Sequence, residues 1–207
     1  MKSTRLEAFS DGVLAIIITI MVLELRTPEG DGFSDLIHTT GLGFLSYLLS
    51  FVYVGIYWTN HHHYFQLVER VDGVVLWANL NLLFWLSLIP VTTDWMDASQ
   101  LARVPVLVYG IDLTMAAGSF GILIYLLKRR QPAGSRLNQV LGSGRKSRWS
   151  MVVFGVGLAA AFFADQLPPD VGVGIAIAMY IVTAVLWVIP DRRVERAVAE
   201  KPAPAGA

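Results

Sequence analysis

The sequence predicts an all-α integral membrane protein, one domain of six transmembrane helices, and three observations lead there. Only 15% of the 207 residues are charged against 55% hydrophobic, where soluble domains carry about 25% charged residues, and the mean hydropathy is +0.56. Six windows are apolar enough to cross a hydrocarbon core, which takes about 20 residues of helix. The basic residues then fall on one side of the membrane that those six crossings define.

The crossings are expected near 5–25, 41–63, 73–93, 104–127, 148–165 and 170–190. The first is the least apolar, since Glu7, Asp11 and Glu24 fall in or at the ends of it. The second and third lie in stretches 39–68 and 73–93 that contain no Asp, Glu, Lys or Arg. The fourth carries a single acid, Asp112, and the fifth is short but clean over 149–164. The sixth, within 171–190, is free of charge. With both termini placed inside, fourteen of the sixteen Lys and Arg residues lie on the inner side, leaving only Arg26 and Arg103 outside. That asymmetry follows the positive-inside rule and fails if one crossing is dropped. Trp58, Trp95, Trp149 and Trp187 fall near span ends, where amphipathic rings favour the interface. The expected organisation is a membrane domain over 1–190 and a disordered Ala- and Pro-rich cytoplasmic tail over 191–207.

Several function classes drop out. A formal net charge of zero argues against a nucleic-acid partner. The absence of cysteine excludes disulfides and thiolate metal sites. Glu7 and Asp11 interrupt what would be the apolar region of a signal peptide.

Ionisable groups at membrane depth are costly and face a partner or water, so the first span is the place to seek chemistry. Acids near a helix start are also favoured by the helix dipole, and pattern alone leaves both readings open. At about 100° per residue, Ile16, Ile20 and Leu23 share one narrow face flanked by Gly12 and Thr19, with Asp11 on the other side. Such a stripe lines a constriction or simply contacts lipid or another helix.

The string Arg5-x-x-x-Phe9-Ser10-Asp11, followed by an apolar run to Leu25, resembles the first helix of the lysosomal-type potassium channel family (transmembrane protein 175 and its prokaryotic relatives). The likeness continues through Trp58-Thr-Asn-His61-His62-His63-Tyr-Phe65 and through Asn79-Leu-Asn81 and Leu88-Ile-Pro90. It implies a potassium-permeable channel with modest preference for K+ over Na+, without a selectivity loop of the Thr-Val-Gly-Tyr-Gly type. The first helix of each six-helix unit would line the pore. By position, Ile16 becomes the narrowest ring, Ile20 and Leu23 add apolar rings acting as gate and filter, and Thr19 offers a hydroxyl. Animal members carry two such units and pair as dimers, so a one-unit chain is expected to form a homotetramer. The resemblance further implies that Arg5, Phe9, Ser10 and Asp11 are held by polar groups on spans two and three. His61 is the best-placed histidine, with Trp77, Asn79 and Asn81 as candidate partners.

The remaining expectations are negative or competing. Three consecutive histidines project at about 100° intervals, and His38 lies across the membrane, so no metal is expected beyond permeating K+. No cofactor, no enzymatic activity and no small-molecule substrate other than cations are expected. The setting is the cell membrane, with the lipid bilayer and identical subunits as partners. The basic loop 128–148, with seven Lys and Arg and no acid, sets topology and could meet anionic lipid headgroups. The competing function is a proton-coupled secondary transporter using Asp112 and Glu24, against which no inverted repeat of broken helices is visible.

Overall fold

The computed structural model describes residues 1–132, 134–141, 144–168 and 170–189. The expected tail, 191–207, lies outside the described residues. The described residues form seven α-helices: α1 (Ser3–Leu23), α2 (Phe33–Gln66), α3 (Gly73–Ala98), α4 (Arg103–Arg130), the short α5 (Arg136–Val140), α6 (Arg145–Phe162) and α7 (Val171–Val188). The six long helices follow the six expected spans in order. Five of them are long and apolar enough to cross a membrane. The exception, α6, opens on Arg145, Lys146 and Arg148, so its 18 residues hold three cations before the apolar stretch.

Helix ends depart from span ends for one reason. Hydropathy marks where lipid begins, whereas a helix continues wherever its backbone ladder is satisfied. Thus α2 starts at Phe33, well before the apolar window, with Asp35 accepting a bond from the Gly32 amide at 3.2 Å. At its start α3 is capped by Asp72, which accepts from the Val75 amide at 3.0 Å and is paired with Arg130 of α4 at 2.6 Å. Arg103 closes the far end of α6, donating to the carbonyls of Ala161 and Phe162 and pairing with Asp165. A cation there also meets the negative end of the helix dipole.

The helices close into a bundle in which α3 packs along α4, α4 on α6, α6 on α7, and α7 returns to α2 and α4. The first helix packs against α2 and α3. Small residues let α6 and α7 approach closely: Gly157 and Ala161 on one, Gly172 and Ala176 on the other, all buried. Without a hydrophobic drive between helices in lipid, such small-xxx-small spacing gains association through close backbone contact. Gly172 is the tightest case, because an added Cβ would lie 2.6 Å from the Ala164 Cα and 2.8 Å from the Ala160 carbonyl oxygen. Backbone cannot step aside as a side-chain tip can. Gly172→Ala is therefore expected to cost about 1–3 kcal/mol through overpacking, read as a lowered thermal midpoint of the detergent-solubilised protein. Gly174→Ala, where nothing lies within 4 Å of the new methyl, is the control and leaves the midpoint unmoved or raised.

Candidate functional site

The first helix is fixed at its start by paired backbone. The Ser3 amide donates to the Glu69 carbonyl at 3.1 Å and the Val71 amide to the Met1 carbonyl at 3.0 Å, so residues 1–3 lie antiparallel to the α2–α3 connection. The Ser3 hydroxyl adds a bond to the Val68 carbonyl.

Beyond that clamp α1 has two faces. Leu6, Ser10, Leu14, Ile17 and Met21 are buried against α2 and α3, at the spacing of one helical stripe. Opposite them, Phe9 is 53% exposed, Ile16 58%, Ile20 44% and Leu23 81%. Arg5, Gly12 and Thr19 are exposed with them, and a Cβ added at Gly12 would meet nothing within 4 Å. Thr19 turns its hydroxyl proton inward, toward the Ile16 and Ala15 carbonyls at 2.9 and 3.1 Å.

The buried face carries a polar relay through three helices. His61 of α2 meets the Asn79 Oδ1 of α3 through Nε2 at 2.8 Å. The Asn79 Nδ2 donates to the Ser10 Oγ at 2.9 Å, and that hydroxyl donates to the Leu6 carbonyl at 2.9 Å. Since Asn79 Oδ1 can only accept, the proton on His61 sits on Nε2. The other ring nitrogen, Nδ1, has no hydrogen-bond partner among the described residues. His61, Asn79 and Ser10 are all essentially inaccessible. Phe65 stacks on the His61 ring at 4.2 Å. Each donor and acceptor is therefore fixed in one arrangement, and interhelical bonds of this kind are worth about 0.6–2 kcal/mol apiece in a membrane.

Two further contacts run from α2 to the rim of α1. The Trp58 Nε1 donates to the Asp11 Oδ1 at 3.1 Å. His62 meets Glu7 through Nδ1 at 2.7 Å and Gln66 through Nε2 at 2.6 Å. Trp58 and His62 stack one turn apart, as Glu7 and Asp11 lie one turn apart on α1. Two helices in register thus share two polar rungs.

Of the eight residues expected in the interhelical network, Ser10, His61 and Asn79 are joined directly, and Asp11 is held through Trp58. Asn81 turns to α4 instead, donating to the Ser119 Oγ at 2.7 Å. Arg5, Phe9 and Trp77 are exposed and do not reach the network within one subunit. The reason is helical phase: Arg5 and Phe9 lie on the same open stripe as Gly12, Ile16 and Leu23. Sequence reasoning missed Glu7, Trp58 and His62 as partners. The available signal was the matched i, i+4 spacing of polar residues on both helices.

Asp112 is buried between α3 and α4, where the Thr92 hydroxyl donates to Oδ2 at 3.2 Å and Oδ1 has no partner among the described residues. Nearby, Ser50 bonds Thr93 at 2.7 Å and Tyr109 at 3.0 Å. Glu24 follows α1 as its C-cap residue.

Comparison with known proteins converges on the same region. The family model of the endosomal/lysosomal potassium channel TMEM175 matches residues 5–90, a segment holding α1 from Arg5 onward, α2, and the residues Ser10, Asp11, Trp58, His61 and Asn79. A potassium channel of Chryseobacterium sp. (strain P1-3) is 48% identical over 200 residues, covering 97% of this chain and all of the relative. The crystal structure of a lysosomal potassium-selective channel TMEM175 homolog from Chamaesiphon minutus superposes with a TM-score of 0.69 at 27% identity, covering 89% of this chain and 97% of the other. The endosomal/lysosomal proton channel TMEM175 of Mus musculus is 31% identical over 99 residues, 46% of this chain and 20% of that one.

Proposed function

This chain belongs to the TMEM175 family, and from that premise we propose that it is a potassium-permeable cation channel whose pore runs between the first helices of a homotetramer. The observation that carries the reading is the open apolar stripe of α1, set directly opposite a face locked to α2 and α3. A lipid-facing helix needs no such locking, because lipid does not ask for one rotational setting. A helix that must present Ile16, Ile20 and Leu23 to a shared axis does.

In this reading, four copies of Ile16 form the narrowest ring, with Ile20 and Leu23 as further rings and Thr19 supplying oxygen lone pairs between them. A ring of branched aliphatic side chains excludes water until it widens, so it gates by dewetting. It offers no full replacement for an ion's hydration shell, and the preference for K+ over Na+ is modest. Both termini and the basic loop 128–148 face the cytoplasm of a cell membrane, as the inner clustering of Lys and Arg requires.

The test is reconstitution of the purified protein in planar bilayers under a potassium gradient, with subunit number read by native mass spectrometry. Unitary potassium currents from a four-subunit particle are expected. Saturable flux driven by a pH gradient, without unitary events, would overturn the channel and favour a proton-coupled transporter built on Asp112 and Glu24.

A further inference from the structure

Away from α1, on the basic end of the bundle, α2, α4, α6 and α7 enclose a cavity of about 550 Å³. This is within the range of about 300–1,000 Å³ that small-molecule sites occupy. Its rim and its interior differ in chemistry. Lys128 at the end of α4 and Arg145 and Lys146 at the start of α6 stand at the rim, and no Asp or Glu is among the described residues that line the cavity. Lys146 is held in place by the Ile189 carbonyl at 2.7 Å and by the Trp187 ring at 4.6 Å. Inside, Ile56, Phe120, Ile124 and Phe154 make apolar walls, with Tyr57 and Asn60 of α2 among them.

The depth identifies the occupant. Tyr64 and Tyr53 of α2 both line the cavity, and eleven residues of helix span about 16 Å. Half of a hydrocarbon core of about 30 Å is nearly the same length. A cationic rim level with the helix ends, above a mostly apolar slot one leaflet deep, matches an amphiphile standing in the membrane rather than a soluble anion. We propose that the cavity binds one acidic phospholipid per subunit, its headgroup phosphate among Lys128, Arg145 and Lys146 and an acyl chain between Ile56, Ile124 and Phe154.

The site has a path to the pore helix. Tyr57 and Asn60 line the cavity, while the next residues along α2, Trp58 and His61, hold Asp11 and Asn79. An occupant therefore presses on the same turn of α2 that anchors α1.

The experiment is native mass spectrometry of the intact oligomer released from mixed micelles holding equal dioleoylphosphatidylglycerol and dioleoylphosphatidylcholine. Phosphatidylglycerol is expected to be retained in preference, up to one molecule per subunit. Lys128→Gln and Arg145→Gln, both exposed positions that leave the fold intact, should each weaken retention about fivefold. Gly121→Trp should abolish it with every charge in place, since Gly121 lines the cavity and nothing lies within 4 Å of an added Cβ. Should that variant fail to assemble, the two charge variants and the lipid comparison still decide the matter. Soluble glycerol phosphate should not compete. Equal retention of the two lipids overturns the proposal. So does unchanged phosphatidylglycerol retention in an assembled Gly121→Trp oligomer, which would reduce the effect to diffuse surface charge. Competition by glycerol phosphate at matched concentration would also overturn it, in favour of a free-anion site.

Discussion

Ile16→Asn is expected to raise unitary potassium conductance and to bring the reversal potential in mixed K+ and Na+ closer to a non-selective value. The substitution acts four times in a tetramer, replacing a ring of branched hydrocarbon by a ring of amides that hold water. Dewetting then no longer opposes entry, and each 1.4 kcal/mol or so removed from the barrier multiplies the flux tenfold. A rise of about tenfold in conductance is the scale to look for. The subunit should tolerate the change, because Ile16 is 58% exposed and makes no part of the core. Its neighbour provides the control. Ile17 is 4% exposed on the opposite face, and Ile17→Asn buries an amide without a partner, at a cost of about 1–3 kcal/mol, so it lowers stability and assembly. Unchanged conductance and reversal potential in Ile16→Asn would remove Ile16 from the constriction.

That adjacent residues have such different expected effects shows what was legible in advance. Hydropathy and the basic asymmetry located all six long helices, because both report the lipid boundary directly. They did not locate the start of α2 at Phe33 or the basic opening turn of α6, because helices are not obliged to stop where lipid does. On α1, the period of 3.6 places Ile16, Ile20 and Leu23 on one face, and the single subunit leaves all three exposed. The polar string carries less direction: within one subunit Arg5 and Phe9 sit on that same open face, away from Ser10. A motif records co-occurrence, not direction, and four residues from Arg5 to Phe9 are nearly one full turn. The Glu7–His62 rung required the relative register of two helices, which no single-chain pattern contains. The cavity behind α2 required the convergence of four helices and was legible only as a run of basic residues in a loop.

The relay through Asn79 is where one substitution should reach furthest. Asn79→Leu keeps the branched heavy-atom outline of the side chain but removes both the acceptor for His61 and the donor to Ser10. Ser10 keeps its bond to the Leu6 carbonyl. His61 does not recover, since its Nδ1 already has no partner among the described residues and the loss of Asn79 leaves both ring nitrogens bare in a buried site. Two lost interhelical bonds at about 0.6–2 kcal/mol each and an unsatisfied donor at about 1–3 kcal/mol add to a loss on the order of 2–7 kcal/mol. The release of α1 is the more specific consequence. With Ser10 untied, the polar hold on the body of α1 falls to the Asp11–Trp58 and Glu7–His62 rungs beyond the Ser3 clamp at its start, and the pore-facing stripe loses part of its fixed heading. Asn79→Leu should therefore lower the thermal midpoint and make open-channel current noisy and poorly gated, while Ile16 itself is untouched. A double-mutant cycle with Ser10→Ala separates this from a general packing defect. Residues sharing one bond couple by at least about 0.5 kcal/mol, so the double variant should lose less stability than the two single losses together. Strict additivity, with gating normal in all three variants, would mean that the relay does not set the orientation of α1.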